Sequence, residues 1–232
     1  MVMERAATAL DRDAFREKLE RLRTVQKQTG TQKPEKDGTT NHVDYDVLER
    51  RGIYRRFWDV TAESVSRTCP AECRQQWLEV CEYIKDMDYN LSVGKGLMLI
   101  GPVGTMKTTM AVAVLRDLIE REPNQGYFIP MVSLLDQLNE ERDSRSHILE
   151  DRIRHTRLLV LDDLGAEYDH AWVAAKIDSI VTERYNRMKS TIVTSNLRRD
   201  EIRDRYQMRI FDRLKSTNKL ITFAGKSLRR PV

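Results

Sequence analysis

At 232 residues, with 40% hydrophobic and 33% charged side chains, the chain is long enough for one compact domain plus an appendage and too apolar to be a disordered polymer. Its 40 lysines and arginines against 36 acids leave a net charge of +4, too small for overall charge to imply a nucleic-acid partner. No run of about 18 apolar residues occurs and the N-terminal stretch is charged throughout, so neither a membrane span nor a secretory signal is expected; the chain reads as soluble and cytoplasmic, with no membrane partner.

Phe15, Leu19, Leu22 and Val25 recur at spacings of four, three and three, one apolar stripe of an amphipathic helix over residues 10–28. That helix is either a docking element for a partner protein or a solvated, self-associating arm. The following TGTQKPEKDGTTNHVD has almost no large apolar residue and reads as a flexible linker. Residues 1–45 are therefore expected to be an arm and linker, and residues 46–232 the compact domain. Cys69, Cys73 and Cys81 have C-x3-C-x7-C spacing, which fits neither paired zinc motifs nor a disulfide framework. They are read as reduced, partly buried thiols, with a metal site as the alternative.

A helical pattern over residues 75–88 leads to the apolar run Leu97–Ile100, then a glycine-containing turn and a helix from Lys107 to Arg121. Further short runs follow at 127–131, 158–161, 191–194 and 220–223, separated by helical stretches, one capped by Ser133 and another over 172–188. Apolar strands alternating with helices predict a mostly parallel sheet covered on both faces.

The segment Gly101-Pro102-Val103-Gly104-Thr105-Met106-Lys107-Thr108-Thr109 lies between the first strand and its helix. Glycine-rich turns there let backbone N–H groups converge on phosphate oxygens, and the helix N-terminus adds positive potential. Lys107 would bridge the β- and γ-phosphates and Thr108 would join a Mg²⁺ shell. Met106 stands where the phosphate-loop pattern has glycine, so a residue with a Cβ must adopt the loop geometry.

About 55 residues after Lys107, four apolar residues run into Asp162-Asp163. Mg²⁺ takes hard oxygen ligands, which assigns Asp162 to the metal shell; Asp163 is placed to orient or deprotonate the attacking water, with Glu167 as the weaker candidate. Asn196, at the end of the next strand, would hold the water or sense the γ-phosphate, or else cap the following helix.

The set GPVGTMKT, LLVLDDLGAE, TIVTSN and RIFDRLKSTNKLITFAGKSLR, with GIYRRFWDVT upstream, resembles the DnaC/DnaI helicase loaders and IstB-like transposition helper ATPases, a branch of the AAA+ ATPases. The resemblance covers residues 50–230. It implies an α/β fold, the AAA+ P-loop NTPase: a five-stranded parallel αβα sandwich, here with a short helical N-terminal extension. It also implies ATP at the strand ends, residues 53–58 near the adenine, and ATP sites shared between associating subunits. Arg209 and Arg213 match the arginine-finger region, and Arg229 the sensor arginine.

Between Arg209 and Val232 seven lysines and arginines face one acid, a basic concentration suited to single-stranded DNA, to an intersubunit nucleotide surface or to a solvated tail. Phe211 and Phe223 have core spacing. The expected activity is ATP hydrolysis with Mg²⁺ by a loader that delivers a replicative helicase to single-stranded DNA. The alternatives are a helper serving a transposase and an ATP-gated DNA-binding module with little hydrolysis.

Overall fold

The computed structural model describes residues 44–139, 144–167 and 171–228. The helix expected over residues 10–28, the linker up to residue 43, and Arg229 lie outside the described residues.

Helix α1 (Tyr45–Arg50) is capped by Asp44, whose carboxylate accepts from the Asp46 N–H. A 3₁₀ turn over Arg55–Phe57 follows. Thr61 and Ser64 form a reciprocal capping box that starts α2 (Ala62–Thr68). The helical pattern over 75–88 is two elements, α3 (Arg74–Lys85) and α4 (Met87–Ser92), separated at Asp86, whose ψ of 25° leaves the helical region.

The αβα core then alternates β1 (Gly96–Ile100), α5 (Lys107–Arg121), β2 (Gly126–Pro130), α6 (Met131–Asn139), α7 (Ser144–His155), β3 (Leu158–Leu164), α8 (Ala171–Asn186), β4 (Ser190–Ser195), α9 (Arg199–Thr217) and β5 (Asn218–Thr222). Helix α6 begins at Met131, so Ser133 lies inside it and is no cap; Pro130, which lacks an N–H, closes β2 immediately before.

The strands make one parallel sheet in the order β2-β3-β4-β1-β5, the five-stranded architecture expected. β1 and β4 are buried along their whole length, as a sheet covered on both faces requires, whereas the edge strand β5 exposes Lys219 and Thr222. Phe211 and Phe223 are both buried. The order has one functional consequence: β4 stands between β1 and β3, so its C-terminal residues lie between the loop after β1 and the acids of β3.

The β3–β4 register carries an irregularity. Leu161 pairs with Val193, yet Leu164 pairs with Ser195, so Asp162 and Asp163 together oppose Thr194. This is a β-bulge, and Asp163 takes the left-handed conformation, φ 56°.

Arg184 ties three elements together from the interior. It is 1% exposed, and its guanidinium donates to the Thr191 hydroxyl on β4 and to the carbonyls of Ile153, Thr156 and Ser190. No carboxylate is among these partners, and burial lowers its pKa.

Candidate functional site

A cavity of about 710 Å³ opens at the C-terminal ends of the strands, where ligands bind in open α/β sheets. Residues 103–109 of the loop after β1 line it, together with Asp162, Asp163 and Asn196. Tyr54, Phe57 and Phe128 supply an aromatic wall. Of the segment 53–58, only Tyr54, Arg56 and Phe57 reach the cavity. Ile53 is buried, and Trp58 donates its indole N–H to the Ile53 carbonyl while stacking on Tyr45.

The loop is built around close approaches. Gly101 has φ +145° and a Cβ there would stand 2.3 Å from the Phe223 carbonyl oxygen, so no side chain fits. Gly104 has φ +80°, its carbonyl accepts from the Leu228 N–H, and Ser227 fills the space a Cβ would need. Met106 takes φ 68°, ψ 8°, the left-handed geometry that its place before α5 demands and that a residue with a Cβ adopts at a cost of about 1–2 kcal/mol.

Lys107 is 5% exposed. Its ammonium donates to the carbonyls of Gly101 and Pro102, both at 2.7 Å, and to Asn196 Oδ1 at 2.9 Å. Gly101 and Pro102 thus contribute as acceptors for the lysine and do not line the cavity.

Asp162 sits at the same strand ends. Its Oδ1 accepts from Thr108 Oγ1 at 2.8 Å and from Thr194 Oγ1 at 2.6 Å. The Thr194 oxygen in turn accepts from the Asp163 N–H at 2.9 Å, which pins the bulge. In a regular strand, consecutive side chains point to opposite faces; the bulge is why both acids reach one cavity. Burial pushes the Asp162 carboxyl above its usual 3.8, against the opposing effect of the two hydroxyl donors. Asn196 donates to Asp163 Oδ1 at 3.1 Å while accepting from Lys107, so one amide links the two halves of the site. It does not cap α9, whose N-cap is Arg198.

The hard oxygens of Asp162 and Thr108, 2.8 Å apart, are a donor set suited to Mg²⁺, and they line the same cavity as residues 103–107.

One sequence expectation, the water-polarising role of Glu167, is not met. Glu167 is no candidate for polarising water: it is 6% exposed, outside the cavity lining, and its carboxylate takes the Tyr206 hydroxyl, the Gly165 N–H and the Arg205 guanidinium. It anchors the turn after β3 to α9. Arg209 and Arg213 lie on α9 and do not line this chain's cavity; both pair with Asp178 on α8. The three cysteines are free and buried, and burial pushes the thiols of Cys69 and Cys81 up to about 12. Among the described residues no cluster of three His, Cys, Asp or Glu side chains forms a metal site.

Thr194 was legible only as part of the strand-end run Thr194-Ser195-Asn196; its contact with Asp162 follows from β4 lying next to β3. Among the described residues no helix is long and apolar enough to cross a membrane.

Comparison with known proteins agrees with this geometry. The family described as IstB-like ATP binding protein matches residues 74–231. The replicative helicase loader DnaI of Bacillus subtilis (strain 168) is 31% identical over 118 residues, 49% of this chain and 37% of that protein. The replicative helicase loader DnaC of Escherichia coli (strain K12) is 23% identical over 146 residues, 60% of this chain and 56% of that protein. The chain therefore spans about two fifths to just over half the length of these curated relatives. A crystal structure of the DnaC helicase loader superposes with a TM-score of 0.64 at 27% identity, covering 74% of this chain and all of that one. With the family matched over well more than half its length and the sheet of an AAA+ P-loop domain, the chain belongs to the IstB-like ATP-binding proteins.

Proposed function

We propose that the protein is an ATP- and Mg²⁺-dependent AAA+ ATPase that delivers a replicative helicase to single-stranded DNA in the cytoplasm. The observation that carries the ATPase reading is the connected set Thr108–Asp162–Thr194 and Lys107–Asn196–Asp163 at the strand ends.

In this reading residues 103–109 hold the triphosphate through main-chain N–H groups, with Lys107 the cation among the phosphates. Mg²⁺ supplies charge neutralisation on the phosphate oxygens, and Asp162 and Thr108 are the residues that would hold it. Asp163, re-aimed by the bulge and held by Asn196, orients the attacking water and accepts its proton. Arg209 or Arg213 of a neighbouring copy stabilises charge on the transferring phosphoryl group, and Arg229 acts as the sensor arginine. Leu228 lines the cavity, and its N–H donates to the Gly104 carbonyl.

The partner reading draws support from the relatives named as helicase loaders. The family match favours a second reading, a helper that serves a transposase. A pull-down from the host with ATP present separates them: retention of a replicative helicase is expected, and retention of a transposase instead replaces the loader reading.

The left-handed Met106 raises a third, an ATP-gated DNA-binding module with little turnover. Met106→Gly is expected to change turnover by less than about threefold, since a strain of about 1–2 kcal/mol is shared by free and bound states. A rise well beyond that in steady-state hydrolysis, with nucleotide affinity unmoved, favours the slow module.

Asp162 also predicts a pH dependence. Its carboxyl holds a proton to higher pH than an ordinary one. The stability this group contributes is therefore greatest in acid and is lost as pH rises from 3.8 through the raised value. Metal binding runs the other way: a proton competes with Mg²⁺, so Mg²⁺-dependent ATP binding should weaken on acidification from a higher pH than a free carboxylate would give. Titrating ATP affinity against pH with and without Mg²⁺ checks this; Asp162→Asn should remove the metal-dependent part.

A further inference from the structure

Asp178, half-buried on the side of α8 that meets α9, is engaged twice over. Arg213 Nη1 donates to its Oδ1 at 2.9 Å, and Arg209 Nη2 donates to its Oδ2. Thr182 Oγ1, one turn along α8, also donates to Oδ1 at 3.2 Å. The two arginines are four residues apart, neighbours on one face of α9. One carboxylate holding two guanidiniums leaves an excess positive charge on that face. The pair is unequal: the Arg213 side chain is 24% exposed and the Arg209 side chain 68%.

An exposed arginine ordinarily samples many rotamers, and fixing it against a target costs side-chain entropy. Here both are already fixed, and by the same group. Neither lines this chain's own cavity, so a nucleotide that they meet is one bound by another copy. We propose that Asp178 is a positioning residue. It pre-sets Arg209 and Arg213 as a guanidinium pair for the phosphate tail of a nucleotide bound by a second copy of this chain. This rests on the shared-site reading above and adds the residue that orients the arginines. Asp178 does not touch the nucleotide; it limits the entropy lost when the arginines engage it.

The test uses the full-length protein. Asp178→Asn keeps the size and an acceptor but removes the charge. It is expected to lower protein-concentration-dependent ATP turnover by about 10- to 100-fold, the scale of misplacing a catalytic group by an ångström. Its own affinity for a fluorescent ATP analogue and its melting temperature should stay at wild-type values. Mixing it with Asp163→Asn, whose arginines are intact and whose own site is not, should restore turnover, because the Asp178→Asn site then receives correctly held arginines.

Wild-type turnover by Asp178→Asn alongside a large loss for Arg213→Ala and Arg209→Ala overturns the positioning role while leaving the shared site intact. Wild-type turnover by the Arg209→Ala, Arg213→Ala double variant removes the shared site itself. Should Asp178→Asn fail to fold, Asp178→Glu, which keeps the charge, takes its place: turnover closer to wild type than that of Thr182→Val supports the role, and the reverse order overturns it.

Discussion

Replacing Lys107 with alanine is expected to lower ATP affinity by at least about 100-fold, close to 3 kcal/mol, and to abolish turnover. The argument is electrostatic and local. The ammonium is the cation among the phosphate-loop carbonyls, on a buried residue where water screens little, and it is the loop's only lysine. Removing one member of a buried, hydrogen-bonded charge set costs about 2–5 kcal/mol in binding. Titration with a fluorescent ATP analogue gives the affinity, and thermal melting separates that loss from unfolding. Unchanged affinity in a folded Lys107→Ala protein would take the loop, and with it the enzymatic reading, out of consideration.

The largest effect on stability is expected at Arg184. Arg184→Met keeps the apolar stem but deletes all four hydrogen bonds, leaving three carbonyls and the Thr191 hydroxyl without their donor in a closed interior. Removing one partner from a buried charged network costs about 3–5 kcal/mol. For a domain of this size each kcal/mol moves the melting temperature by about 2–4 °C, so a fall of about 6–20 °C is expected by calorimetry. A fall of only a degree or two would mean that water replaces the guanidinium at those carbonyls.

The strands and the helix over Lys107–Arg121 were readable because apolar runs and helical spacing are imposed by burial, and burial is what the sheet order provides. The loop after β1 was readable for a different reason: only a short set of residues turns a strand into a helix while presenting backbone N–H groups to an anion.

What escaped depends on contacts across the sheet. Nothing in Leu161-Asp162-Asp163-Leu164 marks a bulge; it exists because β3 gains a residue on β4, a relation between strands far apart in sequence. Thr194 escaped for the same reason. Glu167 looked available because it follows the acids of β3 by only four residues, but Tyr206 and Arg205 arrive from α9 to occupy it. Arg184 had a signal. Ile177, Ile180, Val181 and Arg184 follow spacings of three, four and seven, so the arginine lies on the inward stripe of α8 and had to find buried acceptors.

The single amide of Asn196 has a further consequence. Its oxygen faces an ammonium and its nitrogen a carboxylate, so the two ends cannot exchange without setting like partners against each other. Reciprocity then follows from thermodynamics: if drawing Lys107 away weakens the hold on Asp163, freeing Asp163 must ease the departure of Lys107 by the same free energy. The positions of Lys107 and Asp163, on either side of β4, are then two faces of one equilibrium, carried by a side chain with no charge of its own.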